Sequence, residues 1–241
     1  MESVRNISAI ARREMALYFN SPIAYIAVTV FLGICGVYLF VTYPFFEGNQ
    51  ATIRPLVEQI PLFFILYAPA ITMRLISEEK RSGTVELLAT WPLTDAQIVL
   101  GKFLGALGLL AVTLVLSLVF PLIVSSLGEL DGGVVLGCYL GLFLVGAAYM
   151  AMGLLTSTWT QNQIVAFILA VLLCTFFYGV DVLVGEIWAS ARDAFAFLSF
   201  KVHFANIARG VIDTRDVIFY LTIIGGSLAA ATLSLQARNW K

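Results

Sequence analysis

The sequence predicts an all-α integral membrane protein with six transmembrane helices, and three observations lead there. Of its 241 residues 60% are hydrophobic and only 12% charged, and the mean hydropathy of +0.94 is too apolar for a soluble domain of this size. Six apolar runs, Pro22–Tyr43, Ile60–Ile76, Val99–Leu127, Val134–Thr156, Gln163–Val184 and Val217–Gln236, are long enough, or nearly so, for a hydrocarbon core about 30 Å thick, which takes roughly 17 to 25 helical residues. None of them alternates apolar and polar residues as a lipid-facing strand does, so helices must satisfy the backbone hydrogen bonds. The chain reads as a single transmembrane domain, 1–241.

The first element precedes the first span. MESVRNISAIARREMALYFNSP carries charge on both sides of short apolar stretches, and no small-residue cleavage site follows a compact apolar core, so no removable signal peptide is expected. Val4, Ile7, Ile10, Ala11, Met15 and Tyr18 recur at helical intervals, with Arg5, Arg12, Arg13 and Glu14 elsewhere around the wheel. That pattern predicts a helix over 3–19 lying in the membrane interface; the plainer alternative is a polar extension of the first span.

Within the spans, Cys35, Cys138 and Cys174 match no zinc or redox spacing and read as small packing residues. Gly101, Gly105 and Gly108, and the pair Gly137 and Gly141, permit close helix contacts, within one subunit or between two. The single histidine, His203, rules out a His-based metal cluster and reads as an interfacial polar group. No metal site is expected.

Six spans put both termini on one side. If that side is the cytosol, the inner segments hold Arg5, Arg12, Arg13, Arg74, Lys80, Arg81, Lys102, Arg238 and Lys241, against Arg54, Arg192, Lys201, Arg209 and Arg215 outside, as the positive-inside rule prefers.

The most polar run between two spans, ISEEKRSGTVELLATWPLTDAQI, then faces the cytosol. Arg74 stands one turn before Glu78, which suggests an i,i+4 ion pair at the end of the second span. Ser82-Gly83 breaks the helix, and Thr84 to Trp91 reads as a short helix with Val85, Leu87, Leu88 and Trp91 on one face. Pro92 stops it, and Thr94 with Gln97 forms a capping box that starts the third span. A minimal connector needs about two to eight residues, and this one is far longer and carries its own amphipathic helix. It reads either as a well-packed connector or as a surface on which a partner docks.

The run SEEKRSGTVELLATWPLTDAQIVLGKFLG, Ser77 to Gly105, resembles the signature of the membrane subunits of ABC-2 type transporters: an acidic and basic pair, a Ser-Gly and a Thr-x-Glu-Leu-Leu ahead of a Pro-Leu and a Gly-Lys. The span number, the amphipathic first helix and the long segment between the last two spans agree with that family over essentially the whole chain. SFKVHFANIARGVIDTRDVIFYL, Ser199 to Leu221, is similar to the branch that includes the permease associated with bacterial gliding motility. The resemblance implies that the segment between the second and third spans is a coupling helix seated on a separate ATP-binding subunit. Glu78, Glu79, Lys80, Arg81, Ser82, Gly83, Thr84, Glu86, Leu87 and Leu88 occupy its motif positions. It further implies export, a location in the bacterial cytoplasmic membrane, and short outer-side helices that help close the pathway.

The only Gly-Lys here, Gly101-Lys102, is followed by Phe103 and lacks a glycine at position 96, so it is not the phosphate-cradling loop of an ATPase. The chain is expected to be no enzyme and to hold no cofactor itself, with ATP and Mg bound by the partner subunit. Lys102 reads as a snorkelling anchor. No internal repeat is detectable, so a second copy of the chain should complete the pore. Surrounding lipid and an outer-side accessory protein are further partners to consider; nucleic acid is not.

From Gly185 to Asp216 the chain mixes apolar runs with Arg192, Lys201, Arg209, Asp213 and Asp216, too long for a connector and too polar for a span. The residues themselves support interfacial helices. Asp181, Arg209 and Asp213 are candidate pathway or outer-gate residues. Asp181 is the one acidic residue inside a predicted span, either functional there or facing water near the boundary.

Three functions compete: a permease subunit driven by a separate ATPase, an ATP-driven mechanical transmitter acting on an outer-side partner, and an intramembrane enzyme. The second calls for a large outer domain, which this sequence does not show, although a separate partner could supply it. The third finds only Asp213 with Asp216, and no Ser-His pair around His203.

Overall fold

In a computed structural model that describes residues 2–43, 52–84, 93–128, 130–187, 197–209 and 213–237, with side chains at 182–187 and at Glu2 excepted, the regular structure is helical throughout. Helix α1 spans Glu2–Asn20, and α2, Pro22–Val37, opens with a proline in its first turn, where no helical amide bond is lost. One π-helical turn, Tyr38–Thr42, extends it. Helix α3, Arg54–Thr72, starts ahead of the expected apolar run: Pro55 suits its first turn, Leu56 and Val57 are buried there, and an exposed Arg54–Glu58 ion pair of 2.7 Å adds a little.

A break at residues 73–76 separates α3 from the short α4, Ser77–Ser82, which ends on Gly83 in the left-handed conformation at φ 72°. Helix α5, Asp95–Ser117, begins with the expected capping box: Thr94 Oγ1 accepts from the Gln97 amide and Gln97 Oε1 from the Thr94 amide, each at 3.3 Å. Helix α6, Val119–Leu127, continues it past Leu118. Helix α7 spans Gly132–Trp159, with Asp131 accepting from the Gly133 amide at its start. Helix α8 is Gln163–Ile187, α9 is Phe200–Ile207, and α10, Thr214–Gln236, is capped by Asp213, which accepts from the Arg215 amide at 3.0 Å.

Six stretches are long and apolar enough to cross a membrane, as the sequence predicts: Pro22–Thr42, Arg54–Ser82, Asp95–Leu127, Gly132–Trp159, Gln163–Asp181 and Thr214–Gln236. Helix α7 is the central one: it packs on α3, α5, α8, α9 and α10 and is buried at every position from Val145 to Thr158. Small residues allow this. A Cβ on Gly146 would meet Leu110 of α5 at 2.8 Å, and one on Gly153 would collide with the Thr72 side chain of α3. In contrast α2, α8 and α10 are buried over only 28%, 22% and 22% of their apolar windows, and their remaining apolar surface suits lipid. Cys35, Cys138 and Cys174 are buried, unpaired packing residues.

The first helix is present as expected and also packs along α5: Tyr18 is buried, Ile7, Ile10, Ala11 and Met15 are half-buried, Val4 stays exposed, and the expected glycines make the approach possible. A Cβ on Gly101 would come within 2.6 Å of Ile10, one on Gly105 within 2.6 Å of Glu14, and one on Gly108 within 2.5 Å of Met15. Gln97 Nε2 also donates to Ser3 Oγ at 3.0 Å, so the two helices advance together in the same direction. Gly141 of α7 likewise takes Ile207 of α9, a contact within one subunit.

Candidate functional site

The motif segment that starts at Ser77 begins at the break between α3 and α4, and that break is held from α7. Ser157 Oγ accepts from the amides of Ile76 and Ser77, each at 3.0 Å, and donates to the Met73 carbonyl at 3.0 Å. Backbone groups released where α3 stops are thus satisfied by one buried hydroxyl rather than by water. Lys80 Nζ donates to the Thr158 carbonyl on the same turn of α7.

Lys102 is the centre of the site. Its ammonium lies 2.8 Å from Glu14 Oε1 of α1 and 2.7 Å from Glu79 Oε1 of α4, with the lysine side chain only 3% exposed. This corrects the snorkelling reading: the glycines on either side of Lys102 bring α1 close enough to cover the ammonium, so it pairs with carboxylates and does not reach for water. Two carboxylates around one cation leave the cluster one negative charge in excess, and Arg13 stands near Glu79 to offset it.

The expected Arg74–Glu78 pair is absent among the ion pairs of the described residues. The break at 73–76 interrupts the helical wheel on which that pairing rests, and the Arg74 guanidinium lies over the Tyr18 ring, 5.1 Å from its centroid. Tyr18 donates to the Ile71 carbonyl at 3.2 Å, and burial pushes its hydroxyl well up from the ordinary tyrosine range, which keeps it a donor.

Of the motif residues, Glu79 and Lys80 face inward and hold the segment, whereas Glu78, Arg81, Ser82, Gly83 and Thr84 are exposed. Ser82 Oγ donates back to the Glu78 carbonyl at 2.9 Å and meets Thr84 Oγ1 at 2.9 Å, which tightens the turn at Gly83. Glu86, Leu87 and Leu88, with the helix expected to Trp91 and Pro92, lie outside the described residues. A cavity of about 580 Å³ opens between α1 and this joint, lined by Arg13, Glu14, Arg74, Glu78 and Glu79 among others.

The other three candidates sit at the opposite end of the bundle and do not converge. Asp181 accepts from Ser199 Oγ at 2.8 Å, Asp213 caps α10, and Arg209 lines a small cavity of about 240 Å³ with Arg54 and Asp131. The short helix expected there is present as α9, but it is packed inward through Phe200, His203, Phe204 and Ile207. His203 is therefore not an interfacial polar group: it is buried against Asp216, with Nδ1 2.6 Å from Oδ1.

Sequence reasoning missed Glu14, Lys102 and Ser157 as parts of the site. For Lys102 the signal was present, since a lysine flanked by Gly101 and Gly105 marks a place where another helix comes close; for Ser157 there was none.

Comparison with protein families matches residues 4–222 to the ABC-2 family transporter proteins. A search of the curated proteins finds none that matches. The matched region takes in all of the site, the first five spans and the start of the sixth, and the helical bundle agrees with it. The chain belongs to the ABC-2 family of transporters, as a multi-pass transmembrane permease subunit.

Proposed function

We propose that this permease is an exporter of the bacterial cytoplasmic membrane in which two copies of the chain form the pathway and two separate ATPase subunits drive it. Both termini and the 77–98 segment face the cytosol in this reading, by the positive-inside count. ATP and Mg are bound by the partner, and the exposed motif residues Glu78, Arg81, Ser82, Gly83 and Thr84, continued by Glu86, Leu87 and Leu88, meet it. Asp181, Arg209 and Asp213 stand at the end where a pathway would open outward. The likeness of Ser199–Leu221 to gliding-associated permeases supports a position near that branch.

One observation carries the reading: the Glu79–Lys102–Glu14 cluster fastens the motif segment to the third span and to α1 at once. A push on α4 therefore displaces a membrane helix and is not absorbed by a loose loop. The test is co-purification with the ATPase encoded beside this chain, native against Glu86→Arg. Association at equal stoichiometry, with loss or uncoupled turnover in the variant, supports the reading. Absence of any nucleotide-binding partner, or a variant identical to the native protein, refutes it.

A further inference from the structure

His203, the single histidine, lies in α9 with 6% of its surface exposed. Both ring nitrogens face oxygen: Nδ1 lies 2.6 Å from Asp216 Oδ1, and Nε2 lies 2.9 Å from the Phe197 carbonyl. A carbonyl oxygen only accepts, so Nε2 must carry a hydrogen. The contact between Nδ1 and Oδ1 then needs a second hydrogen on one side or the other, because a bare nitrogen against an ionised carboxylate would oppose two lone pairs.

The surroundings tolerate this state. The Phe219 ring stacks on the imidazole with centroids 4.0 Å apart, an arrangement that accommodates a cation, and Asn206 Nδ2 donates to Asp216 Oδ2 at 3.4 Å. Several other ionisable groups on the elements packed against α9 have partners of their own among the described residues. Arg54 pairs with Glu58 on α3, Asp181 accepts from Ser199 on α8, and Tyr220 of α10 donates to the Phe200 carbonyl. Asp213 caps α10, the Tyr149 ring of α7 stacks on Phe200 while its buried hydroxyl has no hydrogen-bond partner among the described residues, and Lys201 on α9, Arg209 just past it and Arg215 on α10 are exposed.

We infer that the His203–Asp216 pair is a proton-binding site: it holds one proton more than a neutral histidine beside an ionised aspartate, and that proton fastens α9 to α10. The proton comes from water and returns to it, and no other bond changes. Its loss leaves either Nε2 bare against the Phe197 carbonyl or Nδ1 bare against Asp216, so the ring must turn and α9 loosens. This follows from the geometry alone, whichever way the chain lies in the membrane.

The chain reports on this site cleanly, because isotope-labelled histidine marks one residue. Nitrogen NMR of the labelled protein in nanodiscs at about pH 8, above the ordinary histidine value of about 6.5, reads which ring nitrogens carry hydrogen. The expected spectrum has both protonated, or Nε2–H together with a carboxylic acid infrared band that Asp216→Asn removes. A ring with bare Nε2, or Nε2–H without that band, overturns the inference, as does an imidazolium that persists unchanged in Asp216→Asn. A bare Nε2 in the native spectrum overturns the inference without any variant, and Asp216→Glu shifts the band where Asp216→Asn does not fold.

Discussion

The hydroxyl oxygen of Ser157, near the end of α7, lies 3.0 Å from the amide nitrogen of Ser77 at the start of α4, and takes the neighbouring amide of Ile76 at the same distance. Ser157→Ala leaves both buried amides without an acceptor, at roughly 1–3 kcal/mol for each unsatisfied group. A thermal melt in detergent should fall by several degrees while helical content at low temperature stays constant. An unchanged melt would mean that water replaces the hydroxyl.

Lys102→Met strands Glu14 and Glu79 in a buried site, and breaking a buried ion pair from one side costs about 3–5 kcal/mol. The melt should drop sharply, and adding Glu14→Gln and Glu79→Gln should return much of the loss, because the carboxylates no longer need a counter-ion. If the single variant is as stable as the native protein, the cluster is not closed as described.

Gly105→Ala should separate α1 from α5, since its Cβ would meet the Glu14 Cβ at 2.6 Å, and proteolysis within residues 2–20 should accelerate. Gly33→Ala is the matched control. Nothing lies within 4 Å of a Cβ there, so the variant should gain helix stability of about 0.5–1 kcal/mol. Equal behaviour of the two would contradict the close approach.

Glu78→Arg and Arg81→Glu change exposed side chains, where substitutions usually move stability by no more than about 0.5 kcal/mol. Both should melt as the native protein does, yet retain less ATPase on co-purification and support slower turnover. Native-like retention in both would remove α4 from the docking surface and leave the buried cluster as structure only.

Cys35, Cys138 and Cys174 are each at most 2% exposed. A maleimide should label the folded protein slowly and all three thiols rapidly once it is denatured. Fast labelling of any one under native conditions would place that helix face open to solvent.

The six spans, the capping box of Thr94 with Gln97 and the turn at Gly83 were legible in the sequence, because each depends on residues within a few positions of one another. The pairing of Lys102 was not: Gly101 and Gly105 marked a close helix contact, but its partners stand at Glu14 and Glu79, on two other helices, and only packing brings them together. His203 and Asp216 escaped for the same reason, since α9 must fold inward before the pair can form. The α1 stripe was legible as a helix, but its contact with α5 was not, because lipid and a glycine-lined helix accept the same apolar pattern.

Helix α7 runs unbroken from Gly132 to Trp159, holding the α3–α4 joint through Ser157 and touching Ile207 of α9 at Gly141, about 24 Å away along its axis. One unbroken helix thus joins the two ends of the molecule, and the expected consequence is that their motions are coupled. Spectroscopic reporters placed at Arg81 and at Lys201 should relax with one shared time constant, and slowing either end should slow both.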